Sequence, residues 1–248
     1  MSRLSPLSSI LVVAVLAGSG LAAPTTASPP SYRSTAPLQR PAVGECHDLS
    51  GKQLMKETDR SAPVDCAGPH TTQAVAVVTK PRRVGWGDTG AIERFLGRSC
   101  YDDYLAALGG SARAVAMTSH NVAYFYPSRA QRRDGARWIR CDAVLLTATA
   151  LKPLPSPLAL TSPPSDGVAK CLTRRYRLTV CSAAHEYRAV TTVRVRGQRF
   201  PGTRALVRVG LRRCSGKVPR GPYAVTTPSP LKWAAGAKLI VCHAQDRS

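Results

Sequence analysis

Acidic side chains are scarce in this 248-residue chain: 14 Asp and Glu stand against 35 Lys and Arg, a formal charge of +21. The scarcity is uneven. Residues 44–150 hold 14 Lys/Arg and 11 Asp/Glu, whereas residues 168–248 hold 17 and only two, Glu186 and Asp246. Paired carboxylates for sugar hydrolysis are therefore hard to find, since Asp102 and Asp103 are adjacent on an expected helix and point different ways. No phosphate loop, no His-Glu-x-x-His and no Gly-x-Ser-x-Gly occurs. Close cysteine pairs are missing too, which argues against structural zinc although Cys-x-x-x-His appears twice. The apolar run at residues 10–17 is about half the ~20 residues of a membrane-spanning helix. No cysteine precedes Cys46, so a lipid anchor has no thiol to use. These absences predict a protein that is not an enzyme and needs neither cofactor nor metal.

The N-terminus has the order of a secretory signal: Arg3, an apolar stretch, then small residues at Gly18, Ser19, Gly20, Ala22 and Ala23. Residues 1–23 are read as a signal peptide and residues 24–43, rich in Pro, Ser and Thr, as a linker. Removal of the signal leaves no transmembrane helix. Export makes the eight cysteines disulfide partners, because bridges persist in an oxidising compartment. They fall as Cys46, Cys66, Cys100 and Cys141, then Cys171, Cys181, Cys214 and Cys242. Four per half allow three connectivities each, which the sequence alone leaves open. First to second and third to fourth is the working hypothesis, because Cys46 and Cys66 lie by adjacent expected strands and Cys100 faces the last one.

One short stretch occurs twice. Cys66, His70, Ala74-Val75 and Val78 are answered in register by Cys181, His185, Ala189-Val190 and Val193. The intervals from Cys66 to Cys100 and from Cys181 to Cys214 agree within one residue, and Gly135-Ala136 through Cys141 matches Gly236-Ala237 through Cys242. Around these anchors, 74–79, 122–126 and 138–147 read as strands, as do 189–195, 223–227 and 238–242. Ile92, Leu96, Cys100 and Tyr104 predict one amphipathic helix over 91–108, stopped by Gly109-Gly110. Val207, Gly210, Leu211 and Cys214 predict a second, with Arg204, Arg208 and Arg212 on its exposed face. The prolines of 151–167 mark a linker. The expected fold is α+β: two small repeated modules, 44–150 and 168–248, each an antiparallel sheet with one helix and two disulfides.

Gly44-Glu45-Cys46, Val64-Asp65-Cys66, His70, Cys100, Tyr124-Phe125-Tyr126-Pro127 and Gly135-Ala136-Arg137 through Cys141 resemble the septum formation domain family of Gram-positive cell envelopes. The second module matches at Cys181, His185, Cys214, Pro228, Trp233, Gly236 and Cys242. Family members usually carry Trp where Trp233 stands; the first module has Arg132 there. The resemblance implies an envelope location and a link to septation and cell division, and no known reaction.

Two candidate sites remain. His70 and His185 recur at one position, but a catalytic histidine needs a nucleophile or carboxylate in reach, and the cysteines are committed to bridges. A histidine bonded to backbone at a strand start is the plainer reading. A wall hydrolase or hydrolase activator acting through them is the alternative function. The basic surface is more persuasive. Arg194 and Arg196 share a strand face, Arg174, Arg175 and Arg177 cluster near Cys171, and Arg204, Arg208 and Arg212 form a stripe. Planar guanidinium forks suit an anionic wall polymer, a membrane surface or an acidic protein of the division machinery. Nucleic acid would satisfy the same charges, but export and the lack of a recognition motif make it the weaker partner.

Overall fold

Alternating small and β-branched residues build the strands, and serine or aspartate caps at the surface start most of the helices. The computed structural model describes residues 40–148 and 150–246. The expected signal peptide and residues 24–39 of the linker lie outside them.

The first half runs β1 (Cys46–His47), α1 (Gly51–Leu54), β2 (Thr72–Thr79), α2 (Thr89–Ser99), α3 (Tyr101–Ala107), α4 (Ala112–Ala116), β3 (His120–Phe125), α5 (Arg129–Arg133), β4 (Trp138–Leu146) and β5 (Leu151–Lys152). The second runs β6 (Lys170–Leu172), β7 (Leu178–Val180), β8 (Tyr187–Arg194), α6 (Thr203–Cys214), β9 (Tyr223–Thr226), α7 (Pro230–Ala234) and β10 (Leu239–Gln245). These form two five-stranded antiparallel sheets, ordered β1-β2-β4-β3 with β5 beside β4, and β7-β6-β8-β10-β9. The bridges Cys46–Cys66, Cys100–Cys141, Cys171–Cys181 and Cys214–Cys242 leave no free cysteine. Both central pairings carry a bulge at the same place. Val75 is skipped between Ala74–Asp142 and Ala76–Cys141, and Val190 is skipped between Ala189–His243 and Thr191–Cys242.

The expectation of one helix per half is corrected: the described residues hold five helices in the first and two in the second. Four of them have only four or five residues, too few for a 3.6 period to register. Their signal is local. Ser50 with Gln53, and Ser128 with Gln131, form capping boxes, and Ser229 precedes Pro230 at the first turn. The helix expected over 91–108 bends at Cys100, where φ is −122°, and divides into α2 and α3. In α6 the buried stripe is Leu206, Gly210 and Cys214, spaced four apart, so Leu211 is 42% exposed rather than in the core.

The two halves share one core. Ile92, Leu96, Tyr104 and Ile139 pack with Val180, Leu231 and Ala237. The contact is closest where α2 meets α7. The proline-rich stretch 151–167 contributes only β5 to the sheets, as proline requires. It is nevertheless docked: Leu154 and Leu158 are buried, and Leu154 N–H donates to His70 O at 2.9 Å. No helix among the described residues is long and apolar enough to cross a membrane.

Candidate functional site

The contact between α2 and α7 leaves a groove of about 590 Å³ beside it. Asp88 caps α2 by accepting from Ala91 N–H at 2.9 Å, which starts the helix so that Arg94 and Arg98, one turn apart, face the opening. The segment after β8 brings Arg199 and Phe200, and the residue before β10 is Lys238. Trp233 holds these parts together from below. It is 3% exposed, its Nε1–H donates to Gln198 O at 3.2 Å, and Phe200 meets it edge-on at 5.9 Å. Lys238 Nζ sits 5.3 Å over the same ring and donates to Gly197 O at 2.7 Å. Four cations from both halves thus surround one groove, against one acid, Glu93. Such an arrangement receives phosphates or carboxylates through guanidinium forks. It presents no histidine, serine or cysteine for covalent chemistry.

None of the eight arginines singled out in the sequence lines this groove, although all eight are exposed. Arg174, Arg175 and Arg177 lie in the turn between β6 and β7. The pairing of Leu172 with Tyr187 sets that turn beside the start of β8. Arg194 ends β8, seven residues away, or about 23 Å along an extended strand. The turn cluster therefore lies apart from Arg194 and Arg196. Arg213 Nη1 donates to Arg194 O at 3.2 Å, which joins the end of β8 to α6 and its Arg204, Arg208 and Arg212 stripe. The groove residues had one sequence signal, the Arg94–Arg98 spacing on the expected helix; Arg199 and Lys238 had none.

The repeated histidines are held alike. His70 Nδ1 is 2.9 Å from Gly68 O, and His185 Nδ1 is 2.8 Å from Ala183 O. Each ring pins the turn that leads into β2 or β8. Cys66 and Cys181, four residues earlier, are in bridges and supply no thiol.

A buried polar cluster escaped the sequence reading because its members are scattered. Arg140 holds Asp142 through two bonds of 2.9 Å and Asp59 through one of 2.8 Å, and donates to His47 Nε2 at 2.8 Å. A guanidinium only donates, so His47 Nε2 accepts and its Nδ1–H points to Ser61 Oγ, 3.0 Å away. Ser61 in turn donates to Asp59. Serine, histidine and aspartate are all present, yet the histidine gives a proton to the serine rather than taking one. Burial, with the Arg140 charge, holds His47 below its ordinary range. Burial opposes ionisation of Asp59, but bonds from Ser61 and Arg140 prevail and bring it down. Asp142 is pushed up to about 6 by burial, against the pull of Arg140. The cluster is wired as a structural network.

The Arg132 guanidinium lies 4.6 Å over Trp86 and 5.3 Å from Tyr126. No group of three or more His, Cys, Asp or Glu suited to a metal occurs among the described residues. Comparison of the chain with protein-family models, curated proteins and solved structures gives no match.

Proposed function

We propose that the chain is an exported, non-catalytic binding protein of the cell envelope that holds an anionic wall polymer or an acidic partner through its basic surfaces. The observation that carries this is the groove at α2 and α7, where Arg94, Arg98, Arg199 and Lys238 converge from two halves of the chain. Four disulfides fit an extracellular protein. The link to septum formation rests on the motif residues alone. We further read the halves as two copies of one unit. The shared strand order β1-β2-β4-β3 and β6-β8-β10-β9, the matched bulges at Val75 and Val190 and the parallel bridges support that reading. A hydrolase working through His70 or His185 gains no support from the bonds either ring makes.

The test is co-sedimentation of the oxidised protein with purified wall sacculi, and with anionic lipid vesicles, across a salt series. Binding to sacculi that falls steeply with salt, and falls further in Arg94→Ala/Arg98→Ala than in Arg204→Ala/Arg208→Ala, is expected. Binding indifferent to salt and to both pairs overturns the reading. Wall fragments appearing in the supernatant overturn the non-catalytic part of it, and preference for vesicles moves the ligand to the membrane surface.

A further inference from the structure

The two histidines are held alike on one side and differ on the other. A carbonyl only accepts, so in both rings Nδ1 carries a proton and Nε2 is left to meet something else. In the second half Nε2 meets a carboxylate. Asp246 Oδ2 is 3.1 Å from it, and Arg188 Nη1 lies 3.9 Å from the same oxygen. Both nitrogens of His185 therefore face acceptor oxygens.

Asp246 stands one residue beyond the Gln245–Tyr187 pair. The corresponding pair in the first half is Val144–Thr72, and the next residue is Leu145, which is buried in the core. The first half keeps the histidine, but the position matching Asp246 carries no carboxylate. Three residues after His185 comes Arg188; three after His70 comes Gln73. His70 and Gln73 line a cavity of about 490 Å³, within the range of small-ligand pockets. Its walls are Val43, Val75, Pro157 and Leu158, and no other ionisable side chain lines it.

The geometry points to a carboxylate-binding site in the first half: the carboxylate of a separate ligand accepts from the Gln73 amide N–H and from His70 Nε2–H, the ring taking up a proton as the ligand binds, and the ligand's small apolar body lies against Val75, Pro157 and Leu158. The second half displays the same recognition with a carboxylate of its own chain. A short aliphatic acid and a peptide C-terminus ending in a small apolar residue present this chemistry equally. The site is distinct from the α2–α7 groove, and its success or failure leaves that reading untouched.

The experiment follows the imidazole C–H resonances of His70 and His185 in the oxidised full chain. It is titrated at constant ionic strength with N-acetyl-alanine, with propionate and with N-acetyl-alaninamide, which lacks the carboxylate. The two acids are expected to move His70 saturably, with Kd of about 1 mM or tighter. The amide should leave it still, and His185 should stay unmoved because Asp246 already faces it. Gln73→Leu, which leaves His70 in place, should weaken binding about tenfold, and His70→Gln should abolish it while the His185 signal reports an intact fold. Tighter binding of N-acetyl-alanine identifies a peptide terminus, and tighter binding of propionate a free acid. No saturable shift, an equal response to the amide, or full affinity in Gln73→Leu overturns the assignment.

Discussion

Gly97 sets how closely the two halves approach. A Cβ built on it would stand 2.8 Å from Leu231 O, 2.9 Å from Ala235 N and 3.0 Å from Ala234 Cβ, whereas ordinary contact begins at 3.4 Å. Two of those three atoms are backbone and cannot rotate away. Alanine there forces α2 and α7 apart by about half an ångström, a gap that forfeits roughly a quarter of each neighbouring dispersion contact. Overpacking of this kind costs about 1–3 kcal/mol. The better helix propensity of alanine returns up to ~1 kcal/mol. The net expectation for Gly97→Ala is a loss of about 1–2 kcal/mol, or about 2–8 °C in Tm for a chain of this size. Gly97→Val should lose more, since valine adds bulk and lacks alanine's propensity. Gly90→Ala in the same helix is the control, because its nearest contact is the movable Arg94 Nη1 at 3.3 Å. Urea denaturation of the oxidised proteins reads all three. Gly97→Ala as stable as the parent, with Gly90→Ala unchanged, would refute the close packing of α2 on α7.

Acid should weaken the fold through His243 and His120, which burial pushes down to about 3 and about 4, with Lys170 and Lys232 adding to the effect. The unfolded chain takes up those protons near 6.5, so their contribution is whole above that pH and is lost as pH falls toward 4. At about 1.4 kcal/mol per unit the two amount to several kcal/mol. Asp142, raised to about 6, is protonated more readily in the folded state and offsets part of the loss. His243→Leu should flatten the acid limb of stability against pH; an unchanged limb counts against the assignment. Asp142→Ala strips Arg140 of its bidentate partner and should cost about 3–5 kcal/mol, much of it recovered in Arg140→Met/Asp142→Leu. Equal losses in the single and double variants would contradict that. Among the eight cysteines only Cys66 is not buried, so mild reduction followed by alkylation and peptide mapping should label Cys46 and Cys66 first. Labelling of Cys214 or Cys242 ahead of them would contradict the ordering.

What the sequence made legible was periodic or covalent. The strands around the Cys-His stretches appear where β-branched alternation puts them, and α6 follows its spacing, because those signals repeat over six or more residues. The phase of α6 was misjudged by one position, since Val207 and Leu211 look as apolar as Leu206, and only the packing of Gly210 against Val225 and Ile240 decides the face. The groove was not legible, because Arg94 and Lys238 are far apart in the chain and only the α2–α7 contact unites them. The Arg140 cluster was invisible for the same reason, although Arg140 and Asp142 flank Cys141 and so share the strand face opposite it. Charge counting pointed to the basic second half and to arginines on its exposed turns and stripes, which lie outside the α2–α7 groove.

The buried residue after each last cysteine explains why the halves do not stand apart. It is Asp142 in β4 and His243 in β10, both fully buried, on strands covered on both faces. In the first half, that face is closed from within. Twenty residues separate Cys46 from Cys66, enough to hold α1 and carry Asp59 and Ser61 over Arg140. In the second half only ten separate Cys171 from Cys181. That interval is taken up by the β6–β7 hairpin, and the sheet face is covered by the first half instead. There α4 packs on β10, Arg113 Nη2 reaches Thr191 Oγ1 at 3.4 Å, and Lys170 Nζ donates to Ala116 O at 2.7 Å. A central strand buried on both faces needs a cover on each. The short second loop therefore leaves the two sheets sharing one core, and the same contact brings Arg94 and Arg98 alongside Arg199 and Lys238.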